Sequence, residues 1–229
     1  MLGSTCNSDG SNPLQLTSLT GADLGSPRWS PNGNAVVFDA RLEGHGDIFV
    51  ISADGGAPRR VTAEPFEDNV PTWSRDGNWI YFSSDRTGNW QIWKVPATGG
   101  GAIQVTKNGG FSAEESLDGK SLYIWREEAT LWRMPTEGGD AVSVLQGVPD
   151  FGWWAIAATG IYHLDVSTTP AHLKFFDFAT LRSQDVTSIE LGYQVPGPQS
   201  LDISPDGQSI LFMRVDEVQS DIMLVENFH

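Results

Sequence analysis

Residues 26–40 read SPRWSPNGNAVVFDA and residues 70–84 read VPTWSRDGNWIYFSS, the same short pattern set 44 residues apart. In each, a Trp precedes a Ser-x-Asn-Gly or Ser-x-Asp-Gly step (Ser30 to Gly33, Ser74 to Gly77), and an apolar-rich run follows. Asn-Gly and Asp-Gly between such runs mark tight hairpins, because the turn needs positive φ and these residues tolerate it. Asp118-Gly119 follows 42 residues later, and Asp206-Gly207 a further 88, which is twice 44. A degenerate copy is therefore expected between those two. WAIAATGIYHLD supplies it, with Thr159-Gly160 in the turn.

A second punctuation follows each hairpin: Gly55-Gly56, Gly99-Gly100-Gly101, Gly138-Gly139 and, more weakly, Ala179-Thr180. Alternating apolar segments flank it, as in DIFVISA and PRRVTA, or QIWKVPA and AIQVTK. Each period thus encodes four short strands, a to d, which is the signature of a propeller blade. No stretch sustains a 3.6-residue period, so almost no helix is expected.

The spacing predicts an all-β β-propeller of five four-stranded blades, at about 26–64, 70–108, 112–147, 153–189 and 199–228. The segment PLQLTSL (13–19) is expected to complete the last blade and close the ring, removing exposed sheet edges. Residues 13–229 are then one domain, and 1–12 a leader or the remnant of a cut blade. The alternative reading is part of a longer propeller, because a cut inside any blade leaves complementary ends.

The chain has 229 residues, 14 Lys and Arg against 29 Asp and Glu, and a net charge of −15. That charge repels phosphate backbones and anionic lipid, so no nucleic-acid partner is expected. No apolar run is long enough for membrane insertion. The lone cysteine, Cys6, closes no internal disulfide, and MLGSTCNSDG shows no secretory signal.

The pattern P-x-W-S-P-x-G, an apolar strand, an Arg near its end, D-I-[FM] and G-G-x-x-x-x-[LV]-T resembles the WD40-like repeat of bacterial TolB-type propellers. Here it stands as PRWSPNGNAVVFDAR, GDIFVISADGG and PRRVT, and again as PTWSRDGNWIYFSSDR, QIWKVPATGG and IQVT. The resemblance covers essentially the whole chain and implies the fold, with a periplasmic or other extracytoplasmic setting favoured. The terminal DIMLVENF also resembles the end of large bacterial proteins in which such propellers follow a winged-helix or Ser/Thr kinase domain. That implies a sensor or interaction module.

Local motifs for catalysis are missing: no G-x-S-x-G, no H-E-x-x-H, no glycine-rich phosphate loop and no EF-hand spacing. His45, His163, His172 and His229 include no pair at metal-ligand spacing. No cofactor or metal is expected, and the chain reads as a binding module rather than an enzyme. The alternative is an enzyme, or a peptidase gate, acting on polysaccharide or peptide.

In a propeller the d-to-a and b-to-c loops open on one face around the central channel. Here they carry Glu67, Asp68, Asn69, Asp85, Trp90, Phe111, Asp150, Phe151, Trp153 and Tyr193. Aromatic plates beside carboxylates suit a protein, peptide or small polar ligand at the channel mouth, neutral or cationic rather than polyanionic. The competing reading packs the aromatics between blades and leaves the acids as solvated loop residues. Arg41, Arg86 and Arg214 recur after strand b, and Asp47 and Asp221 begin strand c, which suggests Arg–Asp pairs tying two strands of one blade. Glu115 takes the place of Trp29 and Trp73, and a buried carboxylate there needs a partner, with Arg126 or Arg133 the candidates.

Overall fold

A computed structural model of the chain describes residues 4–6, 11–19, 21–42, 44–192, 201–204 and 207–212. A two-residue ladder pairs β1 (Ser4–Thr5) with β2 (Leu14–Gln15). Four antiparallel four-stranded sheets follow, each in simple up-and-down order. Blade one holds β3 (Asp23–Trp29), β4 (Ala35–Arg41), β5 (Gly46–Ser52) and β6 (Arg59–Arg60), and blade two holds β7 (Asp68–Trp73), β8 (Trp79–Ser84), β9 (Gln91–Pro96) and β10 (Ile103–Gln104). Blade three holds β11 (Ser112–Glu115), β12 (Ser121–Arg126), β13 (Thr130–Pro135) and β14 (Val142–Gln146), and blade four β15 (Trp154–Ile156), β16 (Gly160–Asp165), β17 (Ala171–Asp177) and β18 (Arg182–Ile189). A hairpin of β19 (Leu201–Ile203) and β20 (Ile210–Phe212) forms a further two-stranded sheet among the described residues. No helix occurs among the described residues.

The repeated Ser-x-[Asn/Asp]-Gly step builds one turn several times over. Ser74 Oγ donates to Asp76 Oδ1 at 2.6 Å and accepts from Trp79 N at 2.9 Å, while Gly77 N returns to Ser74 O at 2.9 Å with φ 72°. Ser30 with Asn32, and Ser116 with Asp118, repeat these bonds at 2.8 and 2.6 Å. The side chains thus satisfy turn groups that the ladder leaves open.

The core lies in the seams between blades rather than inside any one sheet. Successive side chains on a strand point to opposite faces, so each sheet feeds two seams. Val37, Ile48, Ile80, Phe82 and Val95 fill the seam between blades one and two. Tyr81, Ile92, Leu122, Ile124 and Met134 fill the next. Trp125, Leu131, Trp154, Ile161 and Phe176 fill the third, and Trp153, Leu164, Leu173 and Leu201 join blade four to the β19–β20 hairpin. Each such buried side chain contributes about 1.5–3 kcal/mol, and none is buried until its neighbouring blade is in place.

The expected closure is not seen as hydrogen bonding. Within the described residues Leu14–Gln15 pair with Ser4–Thr5, while Leu16 packs on Val36, Phe38, Phe49 and Ile51 of blade one. The segment DIMLVENF, its expected partner, lies outside the described residues.

Blade four turns differently from the expectation. The chain reverses over 157–159, closed by Ala157 N donating to Gly160 O at 2.9 Å, and Gly160 opens β16 instead of sitting in the turn. Glycine is needed there for close approach, since a Cβ would strike the Phe176 carbonyl oxygen and the Phe175 ring. Where the other blades use Gly-Gly between c and d, Asp177 Oδ1 accepts from Ala179 N and Thr180 N at 2.9 and 2.7 Å, and Leu181 takes φ 56°.

Candidate functional site

Asp85, Trp90 and Phe111 line one cleft of about 540 Å³ between blades two and three. Its walls are the b-to-c loop of blade two, residues 107–111 of the connection between the blades, and residues 126–128 of blade three. Trp90 meets Phe111 edge to face, ring centroids 5.0 Å apart at 82°. Phe111 in turn meets Phe151 at 5.0 Å, so an aromatic row runs from the cleft into the seam with blade four. The wall is held from below by the buried Gln91, whose Oε1 accepts from Gly109 N at 3.0 Å and Thr106 Oγ1 at 2.9 Å.

The cleft also holds a cation that its sequence position does not announce. Arg126 ends β12 on the face that carries Leu122 and Ile124, is 8% exposed, and stacks its guanidinium 4.3 Å over the Trp132 ring. Its Nε is buried without a hydrogen-bond partner. Burial pulls its pKa below the ordinary guanidinium value, with nearby Glu128 acting in the opposite direction. Lys107, Glu127 and Glu128 are exposed at the rim, and Trp132 Nε1 donates to Glu128 Oε1 at 3.2 Å. The cleft therefore presents both signs of charge beside two aromatic rings.

Other expected site residues are placed elsewhere. Glu67 takes a bidentate pair from Arg41, at 3.1 and 2.6 Å, and a bond from Gly46 N at 3.1 Å. Asp68 is fully buried, and both its oxygens accept from Arg86 Nη2, at 3.1 and 2.9 Å. Burial raises the Asp68 carboxyl, against the lowering pull of Ser84 and Arg86. Asn69 packs its side-chain amide on Gly46 and accepts from Ser83 Oγ through its backbone carbonyl oxygen at 3.0 Å. Asp150 accepts from Gly152 N at 3.1 Å, and burial raises its carboxyl. Trp153, 4% exposed, is core between blade four and the β19–β20 hairpin, where an indole is enclosed on all sides and offers no open face. Tyr193, Arg214 and Asp221 lie outside the described residues.

The expected Arg41–Asp47 tie does not form. Arg41 pairs with Gly46 and Ala40 with Asp47 across the ladder, so Arg41 and Asp47 point to opposite faces of the sheet. Arg41 reaches Glu67 on the connection to blade two, and Asp47 takes Arg60 Nη2 of strand d at 2.6 Å. Arg86 does tie strands of its own blade, but through Asp68 of strand a. Nor is Glu115 neutralised by Arg126 or Arg133. It faces blade two, where Tyr81 OH donates to Oε1 and Arg75 N to Oε2, both at 2.7 Å. Arg133 pairs with Tyr123 on the other face, and Arg126 stands four residues beyond Glu115's cross-strand partner Leu122, about 13 Å along the strand.

Comparison with known proteins fits this geometry. The model of the TolB beta propeller domain, PD40, matches residues 11–145, more than half of the chain. No curated protein matches the sequence. Among solved structures, TolB from Acinetobacter baumannii is similar at TM-score 0.76 and 18% identity, over 91% of this chain and 53% of that one. The chain thus spans about half the length of that relative. A TolB from Agrobacterium tumefaciens aligns at TM-score 0.73 and 18% identity, over 93% of this chain and 84% of the other. A puromycin-hydrolyzing peptidase from Mycobacterium tuberculosis aligns at 0.58 and 20%, over 88% of this chain and 34% of that one. At these identities the structures speak for the fold alone, while the repeat, the seam-packed blades and the family match together assign the chain to the TolB β-propeller family.

Proposed function

We propose that this propeller is a non-catalytic binding module of a larger bacterial protein, taking a peptide or small polar ligand in the cleft between blades two and three. The observation that carries the reading is the cleft itself: Trp90 and Phe111 offer aromatic faces beside Asp85, Lys107, Arg126 and Glu128 on a loop face held by Gln91. Aromatic contact supplies affinity and the charged groups orient the ligand. The finer architecture belongs to the same proposal. Five blades form the ring, with 13–19 seated beside the β19–β20 sheet, a placement supported by Leu16 on blade one and Leu201 on blade four. A second reading, the gate of a peptidase, draws on the likeness to the peptidase propeller, of which this chain covers 34%.

A peptide array probed with the purified chain, alongside ester, peptide and polysaccharide turnover assays, tests the proposal. Binding that weakens by about 1–3 kcal/mol in Trp90→Ala, without turnover, is expected. Turnover abolished by a substitution in the cleft would overturn it.

A further inference from the structure

The repeat provides an internal comparison for Arg126. In blade two, Arg86 stacks 4.7 Å over Trp93 while Asp68 accepts two hydrogen bonds from it. In blade three, Trp132 stands where Trp93 stands, since each is the third residue of strand c, and Arg126 stacks on it at 4.3 Å. Counting back six residues from the turn serines, Asp68 of blade two corresponds to Gly110 of blade three. By the same count Arg126 stands where blade two has Ser84, and Glu128 where it has Arg86, so a guanidinium still covers the equivalent indole, from another position, while the carboxylate of Asp68 is gone. Nor can blade three carry a side chain at that point, because a Cβ on Gly110, at φ 153°, would lie 2.8 Å from Ile92 and 2.9 Å from Ile124. The connecting backbone nonetheless runs beside the arginine, a Gly109 Cβ falling 3.9 Å from Arg126 Cδ.

The geometry points to a ligand carboxylate seated on Arg126, in the role that Asp68 plays for Arg86, with the ligand's apolar part against Trp90 and Phe111. A buried guanidinium stacked on an indole is preorganised for two-point carboxylate binding, and leaving its buried Nε–H unmet is costly. Exposed Glu127 and Glu128 at the rim, and the net charge of −15, disfavour a polyanion. A single carboxylate on an otherwise neutral or cationic ligand fits, as in the free C-terminus of a peptide. The inference rests on the proposed cleft, and the test separates the two.

The probes are N-acetyl-phenylalanine and its C-terminal amide, titrated into the full chain by calorimetry. The acid is expected to bind roughly tenfold tighter or more. Arg126→Gln should abolish that preference while retaining amide binding, and Lys120→Gln, at the exposed a-to-b turn outside the cleft, should change it by no more than about twofold. Should Arg126→Gln fold poorly, the Arg126 Nε–H resonance of the unaltered protein still reports, moving with the acid and not with the amide. Equal binding of acid and amide, with that resonance unmoved, overturns the carboxylate assignment and leaves the cleft reading standing. Failure of both probes to bind at millimolar concentration overturns both.

Discussion

Tyr81 on blade two donates a 2.7 Å hydrogen bond to Glu115 on blade three, so the carboxylate at a position held by tryptophan in the two preceding blades ties one blade to the one before it. Trp73, one repeat earlier, does the same work with different chemistry, its Nε1 donating to Arg28 O of blade one at 3.2 Å. Burial, and the bonded Glu115, raise the Tyr81 phenol far above its ordinary value, so it stays a donor throughout the accessible pH range. Glu115→Ala should cost about 1–3 kcal/mol, because it strands the Tyr81 hydroxyl and the Arg75 N–H in a seam. In urea denaturation, Tyr81→Phe and Glu115→Gln should be less than additive when combined, since they share one bond.

Asp68→Asn should act on stability and not on ligand affinity. The carboxylate is fully buried against Arg86, whose side chain is 10% exposed, and breaking such a pair from one side costs about 3–5 kcal/mol. Chemical denaturation of the variant, with probe titration into the folded fraction, reads both quantities. Loss of affinity with unchanged stability would return Asp68 to the ligand site.

Gly160→Ala should destabilise by about 1–3 kcal/mol through overpacking against the Phe176 carbonyl and the Phe175 ring. Gly101→Ala, where a Cβ meets nothing within 4 Å, should stay within about 0.5 kcal/mol. Their melting temperatures, side by side, check the contrast.

His163 makes part of the stability depend on pH. It is 4% exposed, and burial first, then Lys174, pulls its pKa down to about 4, against the pull of Asp165. Between pH 6.5 and about 4 the unfolded chain binds a proton there that the folded chain refuses. Folding is therefore weakened as pH falls through that window, by ~3 kcal/mol at its lower end. His163→Gln should remove this slope, so stability curves of the two proteins should converge at low pH relative to neutrality. Parallel curves from pH 7 to 4 would contradict it.

Much of the fold was legible because its determinants are local. Ser74, Asp76 and Gly77 make their bonds within five residues, so spacing alone reveals the turn. Gly160 is not legible in this way, because its role is set by Phe175 and Phe176, a strand away. The site was legible only in part. Asp85, Trp90 and Phe111 follow from loop membership, but Asp68 and Glu67 looked equally available until their arginine partners were placed. Arg126 carried one readable signal, the glycine at 110 where the preceding repeat has Asp68, and only aligned repeats expose it.

The indole N–H resonances test the cleft most directly, since the tryptophans sample separate places. Trp90 lines the cleft, Trp153 lies in the core, and Trp29 lies beside the a-to-b turn on the opposite face. Titration of labelled protein with N-acetyl-phenylalanine should shift Trp90 progressively and leave Trp29 and Trp153 in place. A shift at Trp29 with Trp90 unmoved would put the ligand on the other face and contradict the account.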